Sequence, residues 1–219
     1  MDLTSDVFIK ELESLKEPGN AQIQKMKIFS LAKRYIDLPV PEVEKLLKSD
    51  AHDLRVGAVA ILDWKARAKT LRSIEKEEIY HAYINNHDRI DDWGLVDRAA
   101  PYVVGGYLFD KDRSILYELA KSKKPMERRT AIVSTYYFLR KKQTADTFKI
   151  AEILVHDSDM YVQKAVGSWI REAGKQDIDR LREFLDVHAS TMPRITLRYA
   201  IEKMDRVARD YYLAMKTRN

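Results

Sequence analysis

Trp93 and Asp97 stand four residues apart in the stretch Asp91-Asp-Trp-Gly-Leu-Val-Asp97. Helical residues at i and i+4 share a face, so a helix here presents a flat aromatic ring and a carboxylate together. In the same segment Leu95, Ala99, Tyr102 and Gly106 recur as an apolar stripe, and a turn of about a hundred degrees per residue sets Trp93 and Asp97 roughly opposite it. A π face and an anion turned away from a core suit something cationic. The plainer alternatives are an Asp that caps or pairs with an Arg and a Trp that belongs to a core.

The elements that must position such a pair are helices. Nearly every segment has helical periodicity and none alternates as a strand would. Asp91 or Asp92, Asp110 and Asp159 stand where N-caps are expected, and Pro41, Pro125 and Pro193 fit first-turn positions. Laid on itself, the chain repeats a basic residue followed by small and apolar ones, at Arg55, Arg98, Arg129, Lys164 and Arg198, at intervals of 43, 31, 35 and 34 residues. That spacing predicts an all-α, HEAT-like repeat solenoid, a curved superhelix of stacked helix pairs forming one domain over residues 1–219. In such an array the second helices line the concave side, and their N-terminal bases form a ladder there. The alternative for each base is a bridge to an acid of a neighbouring repeat, and Arg55 and Arg198 are assigned to that role.

Composition narrows the partners. The formal charge is +5, but between Lys121 and Lys142 eight bases face the single acid Glu127, and bases again outnumber acids from Arg194 onward. A local basic excess points to a polyanion, although a solvated Lys/Arg-rich face has the same composition. The chain has no Cys, so thiolate metal sites and disulfides are ruled out. The five histidines are scattered without a ligand pair, and Gly105-Gly106 lacks the context of a phosphate loop. No metal and no cofactor are expected. The longest uncharged run, Ala99 to Phe109, is far short of the roughly 20 residues of a membrane span. Together with a start, MDLTSD, that lacks a signal pattern, this leads to the expectation of a cytoplasmic monomer.

Four blocks in order, D-W-G-L-V-D at 92–97, M-E-R-R-T-A-I-V at 126–133, V-Q-K-A-V-G-x-W-I-R-E at 162–172 and M-P-R-I-T-L-R-Y-A-I-E-K at 192–203, resemble the DNA alkylation repair glycosylases of the AlkD-like family. The resemblance covers about Pro41 to Arg206. It implies a HEAT-like superhelix that holds duplex DNA on a basic concave surface and excises N3- or N7-alkylated purines in base excision repair. Carried over position by position, it makes Asp97 the catalytic carboxylate, Trp93 its aromatic neighbour and Arg129 the active-site arginine. The family's tryptophan after the glycine of the third block falls on Ser168, and Met126 replaces a second frequent Trp. Helix spacing assigns the adjacent Trp169 to a core stripe with Val162 and Val166, whereas Ser168 shares a face with Tyr161, Lys164 and Arg171. Lys123, Lys124, Arg128, Tyr161, Lys164, Ser168 and Arg171 are the expected DNA contacts, with duplex DNA containing alkylated bases as the partner. Tyr136 and Tyr137 are equally consistent with sugar contact or a core role.

The chemistry accounts for a single acid. An N3- or N7-alkylated purine is already cationic, so it leaves without protonation, and the pair of carboxyls used in ordinary glycoside hydrolysis is unnecessary. One carboxylate that stabilises the developing positive charge and guides a water is enough. A non-catalytic module that binds damaged or branched DNA, or a protein-interaction scaffold, remains open on the same residues.

Overall fold

The computed structural model describes residues 3–17, 19 and 23–215. The chain is 71% helical and no strand occurs among the described residues, so the class is all-α, packed as helical repeat solenoids pack. It divides into two compact units, Met1–Tyr107 and Leu108–Asn219.

The first unit runs through α1 (Ser5–Ser14), α2 (Lys25–Arg34), α3 (Val40–Leu47), α4 (His52–Ala66), α5 (Ser73–Asn85) and α6 (Trp93–Ala100). A π turn, Pro101–Gly105, and the short α7 (Gly106–Leu108) follow. Helix α4 is the hub, because Val56 to Leu62 are all buried and α2, α3, α5 and α6 pack around it. A helix apolar all round belongs inside.

The second unit contains α8 (Ser114–Leu119), α9 (Pro125–Ser134), α10 (Tyr136–Arg140), α11 (Ala145–Leu154), α12 (Met160–Gly174), α13 (Ile178–His188), α14 (Arg194–Ala200) and α15 (Arg206–Ala214). Its hub is α12, against which α9, α11, α13 and α14 pack. Gly167 makes the α12–α14 contact possible, since a Cβ there would lie 2.4 Å from the Thr196 carbonyl oxygen. Only a residue without a side chain lets the two backbones approach that closely.

The punctuation follows the sequence at most places. Asp92 caps α6 by accepting from Gly94 N at 2.8 Å, and Asp159 caps α12 by accepting from the Tyr161 and Val162 amides. Asp110 is not a cap. It stands too early, and Asp112 instead accepts from the amide and hydroxyl of Ser114, which opens α8.

The repeat has a definite register. Arg55, fourth in α4, donates to the Ser49 and Asp50 carbonyls at 3.0 Å each and to Asp91 at 3.1 Å. Arg128, fourth in α9, repeats the pattern with the Ser122 and Lys123 carbonyls and with Asp157. Gln163, fourth in α12, reaches the Asp157 carbonyl at 2.7 Å. This fourth position is a clip that ties a helix to the loop before it. The fifth position holds Asp97 in α6, Arg129 in α9, Lys164 in α12 and Arg198 in α14. Arg55 makes the bridge assigned to it, through Asp91, and the ladder is corrected elsewhere: Arg98 is sixth in α6, and among the repeated bases Arg129, Lys164 and Arg198 share one place. Arg198 differs from its assigned bridging role, being exposed with no ion pair to the described residues.

Candidate functional site

Two adjacent acids fix the start of α6. Asp91 holds Arg55 of α4, and Asp92 caps the helix, so the first turn is anchored both laterally and at its end. Trp93 opens the helix and is 41% exposed, while Asp97, one turn later, is half-buried. Leu95, Val96, Ala99 and Ala100 turn inward. The ring and the carboxylate thus stand off the core side, as their spacing predicts.

The apolar stripe beyond them takes another path. Pro101 has no N–H to give to the Asp97 carbonyl four residues back, and the chain widens into a π turn in which Gly106 N reaches the Pro101 carbonyl. The extra residue per turn shifts the phase. Val103 and Val104 are buried where Tyr102 and Gly106 were expected, and Tyr102 is only half-buried, with the Arg67 guanidinium 3.7 Å from its ring centre.

Two groups near α6 were not anticipated. The first is Asp63, which is completely buried near the end of α4, with Arg67 Nε at 2.8 Å and Arg98 Nη2 at 3.0 Å. Arg98 also lies over Phe29 and Trp64, at 4.5 and 5.0 Å from their ring centres. Burial pushes the Asp63 carboxyl up against the pull of both arginines, and it pushes the Arg98 guanidinium down. The cluster fastens α6 to α4 one residue after Asp97. An acid directly after the apolar run Val56–Leu62 is the signal that could have found it. The second group is Lys25 at the start of α2, whose ammonium lies 5.5 Å from the Trp93 ring centre. No local pattern links residues 68 positions apart.

In the second unit Arg129 is buried and donates to the Tyr161 carbonyl. Tyr161 is 39% exposed, and the Lys164 ammonium lies 5.7 Å from its ring centre. Arg129, Tyr161 and Lys164 are thus brought together where α9 meets α12. Ser168, half-buried, follows Lys164 one turn later and is turned away from Val162 and Val166. Trp169 is half-buried rather than core: its indole N–H donates to the Val133 carbonyl at 3.2 Å, and its ring lies 6.2 Å from that of Tyr136.

The remaining bases divide. Lys123 and Lys124 are exposed at the start of α9, Lys124 3.3 Å from Glu127. Arg128 is engaged by Asp157 and two loop carbonyls. Arg171 is held by Glu202 and lies 3.5 Å from Glu172. A phosphate would have to compete with those acids.

Among the described residues no three His, Asp or Glu side chains gather as a metal site requires, and no helix is long and apolar enough to cross a membrane. Comparison with curated proteins finds no match. The family described as DNA alkylation repair enzyme matches residues 11–204. That span takes in Lys25, Asp63, Trp93, Asp97, Arg129 and the Tyr161–Arg171 face, and it begins earlier than the four resembling blocks. With the match covering most of the sequence and the helical packing in agreement, the chain belongs to the DNA alkylation repair enzyme family.

Proposed function

We propose that the protein is a monofunctional DNA glycosylase that releases N3- or N7-alkylated purines from duplex DNA as the first step of base excision repair. The observation that carries this reading is the pairing on α6 of an exposed indole with a half-buried carboxylate one turn away, held by a cap, a clip and a buried ion pair.

In the proposed reaction the C1′–N bond breaks and its electron pair passes to the purine ring, which leaves neutral. The sugar takes up positive charge. Asp97 stabilises that charge and orients a water, whose oxygen bonds C1′ and whose proton goes to the carboxylate or to solvent. At ~4 Å two unit charges interact by about 1 kcal/mol in bulk water and about 4 kcal/mol at an effective dielectric near 20. A gain of roughly 3 kcal/mol expressed only in the transition state is about two orders of magnitude in rate. Trp93 offers its π face to the cationic nucleotide and limits water around Asp97. Arg129 cannot act as a base, and its anchorage by the Tyr161 carbonyl suits it to holding phosphate. Lys123, Lys124, Tyr161 and Lys164 contact the backbone without reading sequence. An attack through the sugar, with the base left largely in the helix, fits a site on helix ends.

A second reading, a module that binds damaged or branched DNA without catalysis, draws on Ser168, a half-buried polar residue where the resembling family has an aromatic wall. One substitution separates the two. Asp97→Asn removes the charge and keeps the shape, so base release from methylated duplex DNA is expected to fall about a hundredfold, by the estimate above, with melting temperature and DNA affinity close to the parent. Release at the parental rate removes Asp97 from the chemistry. Absence of release from the parent itself selects the second reading.

A further inference from the structure

The seat that the proposed mechanism gives to a cationic nucleotide already holds a cation. Lys25 Nζ lies 5.5 Å from the centre of the Trp93 ring, within the range of attraction between an ammonium and an indole. The same atom lies against the first turn of α6: a Cβ built on Gly94 would come within 3.1 Å of it, and within 2.8 Å of Asp92 Oδ1. Gly94, next to Trp93, leaves room for the lysine to cross the turn.

Nothing else among the described residues holds this ammonium. Lys25 is exposed and makes no salt bridge or hydrogen bond to them, so its partner is the indole. An exposed cation–π contact on a flexible four-carbon stem is weak and easily given up. Two cations cannot share one π face cheaply, since like charges at contact distance repel. A positively charged purine nucleotide that takes this face of Trp93 must therefore displace the lysine, and the backbone phosphates that arrive with it are new anions to receive it, beside the Asp92 carboxylate already close to the turn.

We propose that Lys25 is a displaceable placeholder and specificity-determining residue: it occupies the Trp93 π face in the free protein and passes to a DNA phosphate when a cationic nucleotide takes the ring. The inference rests on the reading of Trp93 and Asp97 as the lesion site. Its consequence is that the lysine's phosphate contact is coupled to the lesion. On undamaged DNA the ammonium keeps its seat, and on a cationic lesion it releases one additional counterion.

The experiment compares parent and Lys25→Met, which keeps the length of the side chain and loses its charge. Both are placed in an Asp97→Asn background so that the lesion survives the titration. Affinity for duplexes with and without one 7-methylguanine is measured from roughly 50 to 200 mM salt. On the methylated duplex Lys25→Met is expected to flatten the slope of log affinity against log salt by about 0.9, so that its deficit relative to the parent shrinks about threefold across that range. On undamaged DNA the two slopes coincide. Equal slopes on both duplexes make Lys25 an ordinary surface lysine and overturn the proposal. Equal flattening on both makes it a permanent phosphate ligand and overturns it too. Base release with Asp97 restored is the companion measurement: Lys25→Met is expected to raise KM and leave kcat within twofold. An increase in kcat means that the ammonium stays on the ring and opposes the developing charge, which also overturns the hand-over. Whether Asp97 is the catalytic carboxylate is decided separately by Asp97→Asn alone, so failure of the glycosylase reading and failure of the placeholder give different results.

Discussion

Ser168 and Trp169 are neighbours in sequence, both half-buried, with different surroundings. Trp169 is seated by the Val133 carbonyl and by Tyr136, whereas Ser168 lies on the face of Tyr161, Lys164 and Arg171. A truncation at 169 removes a large packed ring and leaves a backbone carbonyl without its donor. Trp169→Ala is therefore expected to cost about 3 kcal/mol of stability and to change base release mainly through unfolding. Ser168→Trp adds an aromatic to a half-buried site and is expected to raise single-turnover release from 7-methylguanine DNA with little change in melting temperature. If Trp169→Ala melts like the parent yet loses release, Trp169 itself lines the site. Helical spacing was sufficient to separate the two faces. It could not show that Trp169 stops at half-burial, because that depends on where α10 places Tyr136. Lys25 was out of reach for the same kind of reason, since its contact with Trp93 is made by the packing of α2 and α6 on α4.

At the scale of elements, the ends of helices are held by charges whose partners lie far along the chain. Glu42 of α3 accepts from the amide of Ser5 at 2.9 Å and from its hydroxyl at 2.6 Å, which fixes the start of α1. Hydrogen bonds from Lys45 and from Ser5 hold the Glu42 carboxyl well below its ordinary value, at about 2. The folded state thus binds the proton less readily than the unfolded chain. The contact contributes its full stability above the ordinary value of 4.5 and loses it as pH falls toward about 2. Glu42→Gln is expected to melt below the parent at neutral pH, with the gap closing between those two values. A gap that stays constant over the same range would show that the carboxylate's charge contributes nothing. The α1–α3 contact had no pattern by which to read it, while the caps at Asp92 and Asp159 were legible because an N-cap acts within three residues. The π turn after Ala100 is intermediate. The stripe read through Pro101 as if the helix ran on regularly, whereas the turn widens there and moves Val103 and Val104 inward against the core around α4 and α5.

At the scale of the molecule, the basic excess of residues 121–142 was visible in the sequence, but its division between structure and surface was not. Arg128 is committed to Asp157 and to two loop carbonyls, the same clip that Arg55 forms in the first unit, whereas Lys123 is exposed and Lys164 rests on a tyrosine ring. Bases counted together by composition should therefore separate by experiment. Lys123→Glu with Lys164→Gln is expected to leave the melting temperature nearly unchanged and to weaken binding of methylated and undamaged duplexes alike. Each lost phosphate contact would flatten the salt slope by about 0.9. Arg128→Gln is expected to do the reverse, lowering the melting temperature because Asp157, buried at the other end of the pair, loses its partner, with the salt slope of the remaining folded protein unchanged. An Arg128→Gln protein that melts normally and binds with a flatter slope would place Arg128 on the DNA and make its bond to Asp157 a resting state that phosphate displaces. On the proposed reading, surface lysines such as Lys123 and Lys164 are expected to add affinity for methylated and undamaged duplexes equally, whereas the contribution of Lys25 is expected to differ between the two.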